Sequence, residues 1–408
     1  MSRSPGVLGL LLAAGIAPWS PLLAQGRLVG FNSSTIGVMY EAWSFSEPVA
    51  QPTISGGKDV LVDHVSQLSF PVAVKIPLSE SWTLDVATAY ASGRVVLSGT
   101  DPELGTSEYR LTGVTDTRLR ATGRVASGVS LSLGLNLPSG HTSLDAEELS
   151  AFRVLAAPPL SFQVARLGNG FGGTAGLVFS KQLGQGWAGA LGVSYEMRGS
   201  YDPGVLIASL SSPDYSPADA LRFSLGLDGL LGESGMTLGL SADLYPSSDR
   251  LTASNLQSGF LSTQLGPVLT ADWQLRLAPR GFRELTLYAV DRYRTNYSVG
   301  SSVTGDISIP QSSGNYLDAG IRSVISAGRA TGVLASANFR HQTGLDADNT
   351  IATAGIVSGA LTLGLVRDLG RGYAVQPFLR GQSGEISSAG ESSTATALSG
   401  GVTLGIRF

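Results

Sequence analysis

Residues 264–277, QLGPVLTADWQLRL, sort by side-chain type with a period of two. Leu265, Pro267, Leu269, Ala271, Trp273, Leu275 and Leu277 share one face, and Gln264, Gly266, Val268, Thr270, Asp272, Gln274 and Arg276 share the other. A helix would mix these classes on every face, so the segment reads as a strand, and one longer than an ordinary globular strand. The pattern recurs. In 129–137 Val129, Leu131, Leu133, Leu135 and Leu137 oppose Ser130, Ser132, Gly134 and Asn136. In 187–197 Trp187, Leu191, Val193, Tyr195 and Met197 oppose Ala188, Ala190, Ser194 and Glu196. Residues 221–231 and 236–244 repeat it with Phe223, Leu225, Leu238 and Leu240 on the apolar face.

The connections between these strands alternate in length. Short Gly-rich or charged breaks fall near 79–81, 126–128, 183–186, 231–235, 278–282, 326–330 and 368–372. Longer polar segments fall between them, at 46–60, 98–113, 139–171, 199–218, 246–260, 298–314, 342–352 and 384–396. Short turns at one end and long loops at the other are the pattern of an outer-membrane barrel. Seven short and eight long connections join about sixteen strands, with fourteen as the lower bound, and put both termini on the periplasmic side. A sandwich of secreted strands does not explain that alternation.

Composition agrees. Charged residues make up 14% of the chain, against roughly 25% in ordinary soluble domains. After the first segment no uninterrupted apolar run approaches the roughly 20 residues of a membrane helix. The closed barrel is the other structure that satisfies its backbone within a bilayer. A net charge of −4 argues against a nucleic-acid partner, which calls for a clustered basic surface. The chain has no Cys, hence no disulfides and no thiolate metal site. Residues 1–24 read as a secretory signal, with Arg3, an apolar stretch over 6–17, and Ala24 before Gln25 at the cleavage point. Residues 25–408 then form one barrel domain.

At the other end, Val402, Leu404, Ile406 and Phe408 alternate toward lipid. This ending resembles the C-terminal assembly signal of bacterial outer-membrane proteins, and the resemblance implies recognition by the outer-membrane assembly machinery. A second resemblance covers about sixty residues. GVTDTRLRATGRV (113–125), VSLSLGLNLPSG (129–140) and LGNGFGG (167–173) are similar to the characteristic stretch of the transporter family of meta-pathway phenol-degradation proteins. Leu137, Pro138, Ser139 and Gly140 match that family's strand end with Ser in place of Thr. Thr115 stands before Asp116 where Gly is usual, and the Gly-rich return lacks the usual Asp. The resemblance implies an outer-membrane channel for small molecules, aromatic ones among them.

In such a barrel Asp116, Arg118, Arg120 and Arg124 line the pore on one stripe, as do Asp272 and Arg276. An Arg on the lipid face costs roughly 2–4 kcal/mol near the midplane, which favours the inward assignment. Two readings of the stripe stand: an arginine ladder that steers anions, or an Arg–carboxylate network for rigidity with Asp85, Glu196, Asp228, Asp243 and Asp272. The longest loop, 139–171, is unusually apolar. Ser143 with Glu147 and Glu148 caps a short helix there, with Leu149, Phe152 and Leu155 on one face. The expectation is that this loop folds inward as a constriction, with Asp145, Glu147 and Glu148 facing Arg118 and Arg120. Packing over the mouth or against a neighbouring subunit is the alternative. Acids of the other long loops, such as Asp101, Glu103, Asp346 and Asp348, are either solvated charges or sites that share divalent cations with lipopolysaccharide.

Catalytic motifs are missing. His64, His141 and His341 show no metal-ligand spacing. The GxGxxG of Gly168, Gly170 and Gly173 follows a loop and opens a strand, so it fails the nucleotide context. The chain is thus expected to be a non-enzymatic outer-membrane channel or transporter without metal or cofactor. It would give passive or weakly selective uptake of small solutes, and its partners would be outer-membrane lipid and lipopolysaccharide. The alternative is a plugged barrel acting as a surface binding or structural protein.

Overall fold

The computed structural model describes residues 34–50, 60–99, 106–184, 186–203, 214–252, 260–301, 307–344, 351, 354–388 and 391–406. The signal segment 1–24, the acids Asp101, Glu103, Asp346 and Asp348, and Phe408 lie outside the described residues. The first strands are β1 (Ser34–Ala50), β2 (Val60–Pro77), β3 (Trp82–Gly99), β4 (Thr106–Val114), β5 (Thr117–Ala126) and β6 (Val129–Leu137). A helix, α1 (Ala146–Leu155), precedes β7 (Gly172–Gly184) and β8 (Trp187–Arg198). Next come β9 (Asp214–Ser216), β10 (Ala220–Leu231), β11 (Ser234–Leu244), β12 (Asp249–Thr252), β13 (Phe260–Gln264), β14 (Val268–Leu277) and β15 (Phe282–Arg294). The chain ends with β16 (Tyr297–Ser301), β17 (Ile307–Gln311), β18 (Gly314–Ser326), β19 (Thr331–Gln342), β20 (Gly355–Gly370), β21 (Tyr373–Ser388) and β22 (Glu391–Ile406).

These strands form a closed antiparallel barrel of sixteen. β4 and β5 count as one, because both run along β3 and are separated by a break at Thr115–Asp116. The seam closes where β22 pairs with β1, from Ser34↔Ile406 to Phe45↔Ala395. The short turns sit where the Gly-rich breaks predict them. Gly128, at φ +71, brings its Cα so close to the Ser180 carbonyl that a side chain would collide.

Alternation sorts the two faces of the wall. Leu361, Leu363, Leu379 and Leu398 point outward and are 65–68% exposed. Two aromatic rings bound this apolar band: Trp82, Phe179, Trp187, Phe282 and Tyr373 at the short-turn end, and Tyr40, Tyr90, Phe171, Tyr195, Tyr293 and Phe339 at the long-loop end. Trp82–Tyr90, Phe171–Phe179 and Trp187–Tyr195 are each eight residues apart. That is about 26 Å along a strand, or about 20 Å of height at a tilt of roughly 40°. The band therefore matches the apolar belt of a membrane barrel, and the fold is that of a transmembrane barrel.

Two predicted loops are strand instead. Segment 98–113 contains β4, and 384–396 holds the ends of β21 and β22. They are polar because this part of the wall rises beyond the apolar band. On the outer surface there, Glu108 accepts hydrogen bonds from Arg94 Nη2 (2.6 Å) and Arg110 Nε (2.8 Å), which hold its carboxyl below the usual range.

The long connections 199–219, 245–267 and 295–313 also carry strands. β9, β12, β13, β16 and β17 form a second sheet of five. Leu251, Leu261, Tyr215, Tyr297 and Val299 of this sheet are buried. They join one hydrophobic cluster with Trp43, Val65, Val95 and Leu111 of the wall and with Leu149, Phe152, Leu155 and Phe162 of the 139–171 loop. The long-loop end thus holds an apolar core where an ordinary water-filled barrel has none.

Leu363→Arg, in the middle of the apolar band, is expected to destabilise the inserted barrel by about 2–4 kcal/mol. A lower urea midpoint in lipid vesicles is the readout.

Candidate functional site

The lumen has two unlike walls. On β15, β18–β22 and β1 the inward side chains are large and packed together. Asp318 accepts from Asn338 Nδ2 (3.3 Å) and is approached by the hydroxyls of Tyr288 (3.5 Å) and Tyr316 (3.4 Å). Glu41 accepts from Trp43 Nε1 (2.9 Å) and lies among Arg340 and Arg380. Arg380 Nη2 reaches Gln382 (3.1 Å) and Asn338 (3.4 Å). This charged network was not singled out in the sequence. Its signal was present in β1, where Glu41 holds the same alternation as Met39 and Trp43.

Across the lumen, β6, β7, β8, β10 and β11 present small inward residues: Ser132, Gly134, Thr174, Gly176, Ser194, Gly226 and Ser241. A cavity of about 470 Å³ opens at the short-turn end of this side, where Gln182, Ala188, Asp228, Thr237 and Arg276 contribute to its lining. Thr237 donates to Asp228 (2.5 Å), and Arg222 Nε donates to Asp243 (2.5 Å). Arg276 faces inward and donates to Gln274 (3.1 Å). Asp272 also faces inward, beside Gly239 of β11, where a side chain would collide with its carboxylate. Arg118, Arg120 and Arg124 face inward and are exposed, and Arg120 lies 3.6 Å from Asp85.

The loop 139–171 occupies the long-loop end of the lumen. Its helix α1 packs on β2, β3 and β4, and Leu155 fills the space above Gly93, a position where any side chain would strike it. Gln67 on the inner face of β2 imitates a strand partner for the loop: its Nε2 donates to Val164 O (2.7 Å) and its Oε1 accepts from Val164 N (3.0 Å). Phe152 is buried beneath the Arg166 guanidinium, 5.3 Å from the ring centroid, and Arg166 donates to the Tyr201 hydroxyl (2.7 Å). A cavity beside Phe152 and His141 measures about 30 Å³, room for about one water.

The acids of the loop depart from expectation. Asp145, not Ser143, caps α1, accepting from the backbone N–H of Glu147 (2.9 Å) and Glu148 (2.8 Å). Glu148 completes the capping box by accepting from Asp145 N (3.2 Å) and lies 3.6 Å from His141 Nδ1. Among the described residues no ion pair joins these acids to Arg118 or Arg120. The carboxylates stay where the unsatisfied N–H groups of the helix start attract them.

Asp116 also departs from the pore-lining expectation. It is 4% exposed and clamps both ends of the loop. Its Oδ1 accepts from Gly140 N (2.9 Å), and its Oδ2 accepts from Asn169 N (2.6 Å) and Asn136 Nδ2 (2.8 Å). Its own N–H donates to Leu167 O (2.9 Å). Ser139 Oγ accepts from Thr117 N (2.8 Å) alongside. Gly140 is required, because a side chain there would meet the Asp116 N–H and the Leu167 carbonyl. The separated stretches around Asp116, Leu137–Gly140 and Gly168–Gly170 therefore converge on one latch at the strand break. Asn136 and Asn169 were the missed members. The outward alternation of the last strand places Val402, Leu404 and Ile406 on the lipid side with Leu398.

No protein-family model matches the chain, so the resemblance to the phenol-degradation family rests on the quoted residues alone. No curated protein matches it either. Solved structures do show likeness. A deltaS2 mutant of the TodX monoaromatic hydrocarbon channel is 9% identical and has a TM-score of 0.42, covering 92% of this chain and 90% of that one. OprB of Pseudomonas putida, in a high-pH structure, is 9% identical with a TM-score of 0.41, covering 91% and 93%. OpdK of Pseudomonas aeruginosa with vanillate is 11% identical with a TM-score of 0.40, covering 91% and 98%. The barrel itself is defined by the chain's own strand pairing.

Hydrogen bonds to a charged group contribute about 1.5–3 kcal/mol each, so Asp116→Ala is expected to weaken loop docking by about 3 kcal/mol or more. Trypsin should then cut rapidly at Arg153, which is buried in the intact protein. The heat-shifted gel migration of the folded barrel should persist.

Proposed function

We propose that the chain is a non-enzymatic outer-membrane channel or transporter for small solutes, exported by its N-terminal signal and seated among outer-membrane lipid and lipopolysaccharide. The observation that carries this reading is the half-lumen of small polar side chains, open to solvent inside a closed wall with an apolar exterior. A barrel of about this size ordinarily encloses an aqueous channel. In this reading the 139–171 loop is the restriction on flow: it sits in the lumen, is latched at both ends by Asp116, and is anchored in the middle by Gln67 and Gly93. Solutes of apolar or aromatic character suit the apolar surroundings of Phe152, Leu149 and Tyr201 at the capped end.

A second reading has an observation of its own. The hydrophobic cluster runs from β1–β4 through the loop to the second sheet, as in a plugged barrel that serves as a surface binding or structural protein. Single-channel recording of the refolded chain in a planar bilayer separates the two. The channel reading expects small or flickering steps from the intact chain and larger, steadier steps after deletion of 143–160. Silence from both proteins, each shown to be folded by heat-shifted migration, would establish the plugged reading.

A further inference from the structure

We propose that Arg118, Arg120 and Arg124 form a binding lane for small organic monocarboxylates along the open side of the lumen. The proposal rests on the channel reading and names the solute class of that lumen.

Apart from Arg276, which donates to Gln274 (3.1 Å), the lumen arginines Arg198, Arg222, Arg322, Arg340 and Arg380 differ from the stripe in what surrounds them. Arg198 meets Glu196 (3.0 Å), Arg222 meets Asp243 (2.5 Å) and Arg322 meets Glu284 (3.4 Å). Arg340 and Arg380 lie in the field of Glu41 and Asp318. These residues fit a network that stiffens the wall. Among the described residues, the side chains of Arg118 and Arg124 have no hydrogen bond, ion pair or ring contact. Arg120 touches Asp85 at 3.6 Å, with 65% of its side chain exposed. A stiffening role needs partners, and this stripe has one weak contact across three guanidiniums.

The neighbouring wall leaves room for a ligand. Arg118 stands between Ala87 and Asn136, Arg120 between Asp85 and Gly134, and Arg124 beside Ser130. Beyond β6 the inner face continues with Thr174 and Gly176. Alternate strand residues on one face are about 6.6 Å apart, so Arg118 to Arg124 spans about 20 Å. The stripe runs from below the Asp116 latch to the turn at 127–128. A guanidinium takes a carboxylate through two parallel N–H···O bonds, and successive sites at this spacing let an anion pass from one to the next without full rehydration. Asp85 beside Arg120, with the Asp116 carboxylate two residues from Arg118, repels a dianion more than a monoanion. Ala87 and Gly134 offer flat contact to the apolar part of the solute.

The test uses the refolded mature chain, first in detergent and then in a bilayer. Calorimetric titration with sodium benzoate at low ionic strength, where screening is weak, is expected to show saturable binding. The triple variant R118Q/R120Q/R124Q should weaken it at least about tenfold, as loss of bidentate charge-assisted contacts requires. Lys181→Gln, which removes a charge outside the lumen, should leave benzoate affinity unchanged. Inorganic phosphate should bind more weakly than benzoate. Should the triple variant not fold, R118Q and R124Q singly are each expected to lose part of the affinity. Unchanged benzoate affinity in folded variants overturns the lane, and equal or tighter phosphate binding overturns the monocarboxylate assignment. In a bilayer, the reversal potential in a KCl gradient should move from anion toward cation selectivity in the triple variant. Benzoate binding without any current, from the intact chain and from the 143–160 deletion alike, would sink the channel reading and keep the lane. Current with arginine-independent selectivity would keep the channel and sink the lane.

Discussion

Everything in this molecule depends on the seam between β22 and β1. In hydrocarbon an unpaired backbone N–H or C=O costs several kcal/mol, so a sheet with open edges is excluded and the first strand must find the last. Closure fixes the faces. Once Ser34 lies opposite Ile406, the two-residue period puts Ile36, Val38 and Tyr40 in lipid and Glu41 and Trp43 inside. Each later strand inherits its orientation from the one before. The charged residues of the wall then have one low-energy location, the lumen, and their pairing divides that lumen into a packed side and an open side.

The capped end follows from the height of the wall. β1–β4 and β20–β22 continue past the outer aromatic ring, and their inner faces there are apolar: Trp43, Val65, Val95, Leu111 and Ile356. Such a surface inside a wide barrel would hold water at a cost of roughly 25 cal/mol per Å². The 139–171 loop and the second sheet cover it with residues of the same kind. Polar groups set where the loop sits: Asp116 through three N–H donors, and Gln67 by acting as one rung of a strand pair. Apolar area supplies the attraction, while these few directional contacts define the register.

The wall was largely legible in the sequence because lipid imposes one simple rule on every strand. Leu265 to Leu277 and Val129 to Leu137 could be read with no knowledge of their neighbours. The arginines of β5 were readable for the same reason. Above the membrane that rule lapses. Leu251 and Leu261 sit in alternations of four and five residues, too short to stand out from loop sequence, and β4 reads as a loop because both its faces are mixed. The latch was not legible, since Asp116 meets Gly140 and Asn169 across 24 and 53 positions. Its pore-lining assignment followed the alternation of Arg118 and Arg120, which the break at Thr115–Asp116 interrupts. Asp145 outcompeted Ser143 as the cap because Glu148 stands three residues beyond it and closes the box.

The apolar core of the cap draws on both sides of the seam. Trp43 and Val49 come from the first strand, and Ile386 and Ala395 from the last two. The interior of the cap is therefore incomplete until the sheet has become a cylinder. An assembly intermediate with a gaping seam would also have a loosened stopper, and stabilising either one would favour the other. In this protein, zippering the wall and corking the mouth are a single cooperative act.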